Sequence, residues 1–375
     1  MMPRTSDTRV QAYDPLLAPM ALLDELPLDD GLAKAVEQAR ADVCSVLDGV
    51  DDRLLVIVGP CSVHDPLAAI EYAARLRDLA QSLADDLLIV KRVYFEKPRT
   101  VSGWKGLIND PRLDGSYDVH RGLRTARRLL LDILELGLPA GCEWLDPVTP
   151  QYIADTVAWG AIGARTVESQ AHRQLASGLS MPVGFKNSTD GNVQVAVDGC
   201  RAAATSHTFF GVTPAGAAAV VTTAGNPDCH VVLRGGRLGP NYQEGQVKRA
   251  LAAITEAGLP RRVMVDASHG NSGKDHRNQP AVAQALADQV AAGEQGIVGV
   301  MLESFLRAGR QDLEDPGTLV FGQSITDACI DIDTTAAVLD NLAAAARRRR
   351  GKAAADPRQR SPRQLGDRPP ARIQP

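Results

Sequence analysis

The sequence predicts a (β/α)8 barrel with an N-terminal extension and a β-hairpin inserted before the sixth barrel strand. Three observations predict it. Eight short apolar or β-branched runs alternate with longer amphipathic stretches, the pattern of parallel strands joined by crossover helices. A length of 375 residues suits one such barrel with extensions. Reactive side chains recur at the C-terminal ends of the runs, the end on which barrels build their sites.

Taken in chain order, residues 1–50 hold one helical stretch (32–47), expected to form an arm that contacts another subunit or serves regulation. The barrel is expected over 51–346. Its strands are LLVIV (54–58), LLIVKRVY (87–94), PAGCEWL (139–145), AIGAR (161–165), PVGFK (182–186), HVVLR (230–234), RVMVDASH (262–269) and IVGVMLE (297–303). Helical patterns fall between them, among them 66–83, 119–136 and 280–292, and a last one covers 327–346. Two strand-like runs within 207–223, turning at 214–216, break the rhythm and read as the inserted hairpin. From 347 to 375 the chain has ten basic residues against two acidic ones and no hydrophobic period, and is expected to be a disordered basic tail.

Hydrophobic residues make up 44% and charged residues 23%, with a net charge of -4, the balance of an ordinary globular protein rather than a nucleic-acid binder. No apolar run is long enough to span a bilayer and no secretory signal opens the chain, so a cytoplasmic protein without a membrane partner is expected. The six cysteines contain no CxxC pair, which argues against a disulfide framework or a zinc finger.

The strand ends divide into two chemical sets. Arg92, Lys97, Arg165, Lys186 and Arg234 are cations brought to one mouth, where they repel one another unless a polyanion fills the site. Cys61, His269, Glu303 and Asp327 offer sulfur, nitrogen and oxygen from the first, seventh and eighth units, which become neighbours when the barrel closes. That mixture favours a divalent transition ion, Mn, Fe, Co or Zn, over magnesium.

All of these residues except Glu303 lie in the segments GPCSVHDP (59–66), RVYFEKPRT (92–100), GWKGLINDP (103–111), GARTVESQ (163–170), PVGFKN (182–187), HVVLRGG (230–236), SHGNS (268–272) and SITDAC (324–329). Together these motifs resemble the type I 3-deoxy-D-arabino-heptulosonate 7-phosphate (DAHP) synthases, from about residue 7 to about residue 346. The resemblance implies condensation of phosphoenolpyruvate with D-erythrose 4-phosphate, the first step of the shikimate pathway. It implies that phosphoenolpyruvate is held by Arg92, Lys97, Arg165, Lys186 and Arg234, with Glu143, Gly163 and Ala164 nearby. Erythrose 4-phosphate falls to Lys97, Pro98, Arg99 and Thr100, and the metal to Cys61, His269, Glu303 and Asp327. Lys97, His269 and Cys61 are the expected catalytic residues, with Lys97 or a water on the His269 side left to move protons.

Members of that family are commonly feedback-inhibited by an aromatic amino acid. The matching inhibitor positions are Pro150, Gln151, Leu179, Ser180, Phe209, Gly211 and Val221, with Asp7 from a partner's arm in a homodimer or homotetramer. Gly211 leaves room there, which with the flanking motifs points to tyrosine. Two alternatives stand beside this reading. A 3-deoxy-D-manno-octulosonate 8-phosphate synthase would lack the KPRT turn, and a non-catalytic homologue would have lost ligands.

Overall fold

The computed structural model describes residues 5–99 and 103–355. Eight parallel strands close a barrel in the order β1 (Leu54–Gly59), β10 (Ile297–Glu303), β9 (Val263–Asp266), β8 (His230–Leu233), β5 (Val183–Lys186), β4 (Trp159–Ile162), β3 (Ala140–Glu143) and β2 (Leu87–Arg92). The remaining two strands, β6 (Thr208–Val212) and β7 (Ala218–Thr222), form the separate antiparallel hairpin, with Phe209 opposite Val221 and Gly211 opposite Ala219. The expected barrel and its inserted hairpin are both present.

Strand alternation sorts the core into two layers. Leu55, Ile57, Leu88, Val90, Trp159, Val232, Met264 and Met301 fill the barrel interior. Leu54, Val56, Val58, Leu87 and Ile89 face the surrounding helices instead. Those helices start where the sequence supplies caps. Asp65 accepts from the amides of Leu67 and Ala68 to open α3 (Pro66–Ser82), and Asp118 accepts from that of Arg121 to open α4 (Val119–Glu135). At the other end of a helix, α9 (Gln279–Ala292) stops at Gly293, whose φ of 110° suits only glycine.

Four expectations are corrected. The fourth strand begins at Trp159, paired with Gly141, and ends at Ile162, so Arg165 sits three residues into the following turn. A fully buried indole at Trp159 fixes that register from inside the barrel. The last helix, α10 (Ile332–Ala355), starts after Asp331 accepts from the amide of Thr334, which leaves Asp327 in a loop. Nor does the helical stretch of the N-terminal region reach out as an arm: Val43, Val46 and Leu47 of α2 (Asp30–Leu47) belong to the same buried cluster as the barrel interior and close its base.

The fourth correction is the tail. Residues 347–355 continue α10, because Arg347 pairs with Asp86 at 2.6 Å and Arg350 with Asp52 at 2.8 Å. Buried Arg349 donates to the carbonyls of Ile297, Asp52 and Arg53 at 3.0, 2.9 and 3.3 Å. The remainder of the expected tail, 356–375, lies outside the described residues. Among the described residues no helix is long and apolar enough to cross a membrane.

Replacing Arg349 with alanine strips three carbonyls of a buried donor. A loss of about 1–3 kcal/mol in urea unfolding is expected; an unchanged midpoint would show that the helix end is not anchored by this side chain.

Candidate active site

The C-terminal mouth of the barrel gathers charges that the sequence leaves far apart. Arg92, the last residue of β2, is 1% exposed and donates to the carbonyls of Pro60 and Cys61, both at 3.0 Å, and to Glu303 Oε1 at 3.1 Å. Its guanidinium lies over the Tyr94 ring, 3.6 Å from the centroid. Lys186, the last residue of β5, is equally buried and donates to Asp266 Oδ2 at 3.0 Å. Arg234 follows β8, with its backbone amide on Asn187 Oδ1 at 2.8 Å. Burial lowers its pKa, Asp266 works against that, and the charge of Arg165 adds to the lowering, so the two arginines share one field.

The second set surrounds Cys61, which is fully buried just past β1. Ligand atoms of Cys61, Glu303 and Asp327 all lie within 4.8 Å of one another. His269 joins them through Glu303, with Nε2 3.6 Å from Oε1. Glu303 is held by Gln279, whose side chain donates to its carbonyl and accepts from its amide, both at 2.9 Å. Burial, then the charge of Glu303, pushes the Cys61 thiol up to about 12. The ammonium of Lys97 sits among these donors, 2.6 Å from Cys61 Sγ and 3.1 Å from Asp327 Oδ2. Burial alone would lower its pKa, but Cys61 and Asp327 outweigh that and raise it. Lys97 in turn is the main cause of the depressed carboxyl of Asp327.

One sulfur, one imidazole and two carboxylates fit a borderline divalent ion. That the same donors already take up a compact cationic head, the Lys97 ammonium, shows the local potential such an ion would meet.

Lys97 is placed by a small turn: its amide donates to the Lys105 carbonyl at 2.9 Å, and Glu96 bridges Gly106 in antiparallel fashion. Gly106 has φ 119°, and a Cβ there would meet the Phe95 carbonyl oxygen at 2.0 Å. Pro98 and Arg99 follow, the Arg99 guanidinium lying against Gly103, while Thr100 is outside the described residues. Gly163, just past β4, lies against the Glu143 carboxylate at the end of β3, and Ala164 follows it. A Cβ on Gly163 would lie 2.2 Å from Glu143 Oε1, so any other residue there would displace the Glu143 carboxylate.

Away from the mouth, the segment around Leu17–Met20 ties two of the regions expected to take an inhibitor. Tyr152 of α5 (Pro150–Ile153) donates to the Leu17 carbonyl at 2.6 Å, and the Met20 amide donates to Pro214 in the hairpin turn at 2.8 Å. Leu179 and Ser180 follow α6 (Gln170–Gly178), whose Ser177 hydroxyl is 2.6 Å from that of Thr223 at the hairpin base. The room expected at Gly211 is largely filled: a Cβ there would meet Val221 Cγ2 at 2.7 Å. Asp7 accepts from the Tyr13 hydroxyl of its own segment at 2.7 Å.

Two acids at the mouth escaped the sequence reading. Asp266 was passed over inside an apolar run, although the argument that singled out Lys186, an unpaired charge in apolar context, applied equally to it. Glu96 carried no signal of its own beyond its place in RVYFEKPRT. It is 4% exposed, and burial, with the charge of Asp146 added, raises its carboxyl to about 8.

Folding therefore favours the protonated form of Glu96. That contribution is present below the ordinary carboxylate range and is lost as pH climbs through about 8. In urea unfolding at pH 6 and pH 9, Glu96→Gln is expected to remove this loss, so that the variant gains on the wild type by roughly 1–3 kcal/mol across that interval. Parallel pH profiles for both proteins would contradict it.

A family model described as the DAHP synthetase I family matches residues 32–340. A phospho-2-dehydro-3-deoxyheptonate aldolase of Corynebacterium glutamicum is 56% identical over 357 residues, covering 93% of this chain and 96% of the relative. The Phe-sensitive enzyme of that name from Escherichia coli K12 is 53% identical over 93% of this chain and 99% of its own. A tyrosine-inhibited one from Schizosaccharomyces pombe is 49% identical over 92% and 94%. Among solved structures, a phospho-2-dehydro-3-deoxyheptonate aldolase from Francisella tularensis SCHU S4 superposes with a TM-score of 0.89 at 48% identity, covering 91% of this chain and all of the other.

Proposed function

This chain belongs to the DAHP synthetase I family, and from that membership and the geometry of its mouth we propose how it condenses phosphoenolpyruvate with D-erythrose 4-phosphate and water to give DAHP and phosphate. The observation that carries the reading is the meeting of a buried cationic clamp with a sulfur, nitrogen and oxygen donor set at one end of the barrel.

Arg92, Lys186, Arg234, Arg165 and Lys97 hold the carboxylate and phosphate of phosphoenolpyruvate, with Glu143, Gly163 and Ala164 lining the opposite wall. Lys97, Pro98, Arg99 and Thr100 receive the phosphate of the aldose. Holding two polyanions within reacting distance supplies much of the rate, and the cations screen their repulsion. Cys61, His269, Glu303 and Asp327 would hold a divalent ion, Mn, Fe, Co or Zn, which when bound supplies a Lewis acid for the aldehyde carbonyl.

The C2–C3 π electrons of phosphoenolpyruvate form the new bond to the aldehyde carbon, and the aldehyde oxygen takes up a proton. Water adds at C2 with loss of a proton, and the C2–O bond to phosphate breaks with its electrons leaving on phosphate, as the new C2 hydroxyl gives up its proton to become the ketone. Lys97 is the cation placed to donate the proton that the aldehyde oxygen takes up. Its ion pair with Asp327, backed by the contact with Cys61 Sγ, keeps it protonated until that carboxylate is neutralised. Cys61, with its raised pKa, gives up its own proton when a cation is bound, which makes metal uptake pH-dependent.

Feedback inhibition by tyrosine is proposed at Pro150, Gln151, Leu179, Ser180, Phe209, Gly211 and Val221, completed by Asp7 of a partner subunit in a homodimer or homotetramer. Support comes from the tyrosine-inhibited relative and from the segment around Leu17–Met20, which joins Tyr152 of α5 to Pro214 in the hairpin turn. Work in the cytoplasm completes the reading.

Phosphate release from the two substrates, followed with and without a chelator, is the test. Turnover abolished by chelation, restored by manganese, and inhibited by millimolar tyrosine but not by phenylalanine or tryptophan is expected. Turnover indifferent to the chelator defeats the metal assignment, and inhibition by phenylalanine or tryptophan alone defeats the tyrosine assignment.

A further inference from the structure

β9 ends on a carboxylate that belongs to neither the clamp nor the ligand set. Asp266 is fully buried. Its Oδ2 accepts from Lys186 Nζ at 3.0 Å and lies 2.9 Å from His269 Nδ1. Its Oδ1 accepts from the amide of Ser268 at 3.0 Å and from the Ser268 hydroxyl at 2.6 Å.

These contacts fix the state of the imidazole. The Ser268 hydroxyl spends its hydrogen on Asp266, so the oxygen that sits 2.7 Å from His269 Nδ1 can only accept there. Nδ1 thus faces two acceptors and must carry the proton. In the neutral ring that leaves the lone pair on Nε2, on the side that approaches Glu303.

The backbone is held to the same end. His269 has φ 54°, a region that non-glycine residues seldom occupy, and the turn is stitched in place around it. The amides of Gly270 and Asn271 donate to the Arg234 carbonyl at 3.0 and 3.2 Å, and the Asn271 side chain donates to the Asp266 carbonyl at 2.8 Å.

We propose that Asp266 is a positioning residue that ties the phosphoenolpyruvate clamp to the metal ligands through one shared oxygen, holding Lys186 on one side and the ligating tautomer of His269 on the other. This rests on the clamp and ligand assignments above. Because the carboxylate is buried and one oxygen serves both partners, a change at one partner is felt by the other.

The test is Asp266→Asn, measured by binding rather than turnover. An amide keeps only one acceptor oxygen: whichever way it turns, an NH2 faces donors. Calorimetric titration of manganese without phosphoenolpyruvate is expected to show a dissociation constant raised about 10- to 100-fold. Titration of phosphoenolpyruvate without metal is expected to weaken as well. Unchanged manganese affinity, or a loss confined to one of the two ligands, overturns the proposal while leaving the metal assignment standing. A wild-type protein that takes up no manganese overturns both. If circular dichroism shows the variant unfolded, 15N NMR of the zinc-loaded wild type decides: Nδ1-protonated His269 is expected, and an unprotonated Nδ1 overturns the proposal.

Discussion

The mouth of this barrel depends on buried charges being matched across strands that are remote in sequence. Arg92 of β2 meets Glu303 of β10, and Lys186 of β5 meets Asp266 of β9, with every partner less than 5% exposed. Taking such groups out of water costs several kcal/mol per ion, which only close geometry and further hydrogen bonds offset. Each pair has them. Arg92 also donates to two carbonyls and stacks on Tyr94, and Asp266 accepts from Ser268 and His269. The carboxylates explain how like charges can converge before any polyanion arrives. They also explain why the clamp and the donor set cannot be separated, since Glu303 serves both.

Much of this was legible in the chain. The strands announce themselves because a parallel strand covered on both faces must be apolar throughout, and the residue where that run ends points into the mouth. Lys186 stood out as a charge inside such a run. What was not legible is partnership. Nothing near Lys186 in sequence says that its counter-ion is Asp266, eighty residues on, because barrel closure sets that distance and local pattern does not. Register is similarly hidden: AIGAR reads as a strand, yet the buried Trp159 indole moves the strand two residues back.

At its two ends the chain misled for opposite reasons. An amphipathic stripe on α2 reads as a docking surface, and only the three-dimensional arrangement shows that the open base of the barrel is what it docks against. The arginines after Ala346 read as solvated charge. They extend the helix because Asp52 and Asp86 wait at the base, and because an alanine-rich segment loses little by remaining helical. Gly211 shows the limit of reading space from residue size alone, since a neighbour, Val221, takes up what glycine leaves.

Cys61, His269, Glu303 and Asp327 around a single ion at the end of the clamp form the centre on which the proposed chemistry turns. X-ray absorption on the zinc-loaded protein addresses it most directly. One sulfur scatterer at about 2.3 Å together with imidazole and oxygen scatterers near 2.0–2.2 Å is the predicted result. A shell of oxygen alone, with no sulfur and no imidazole, would contradict it.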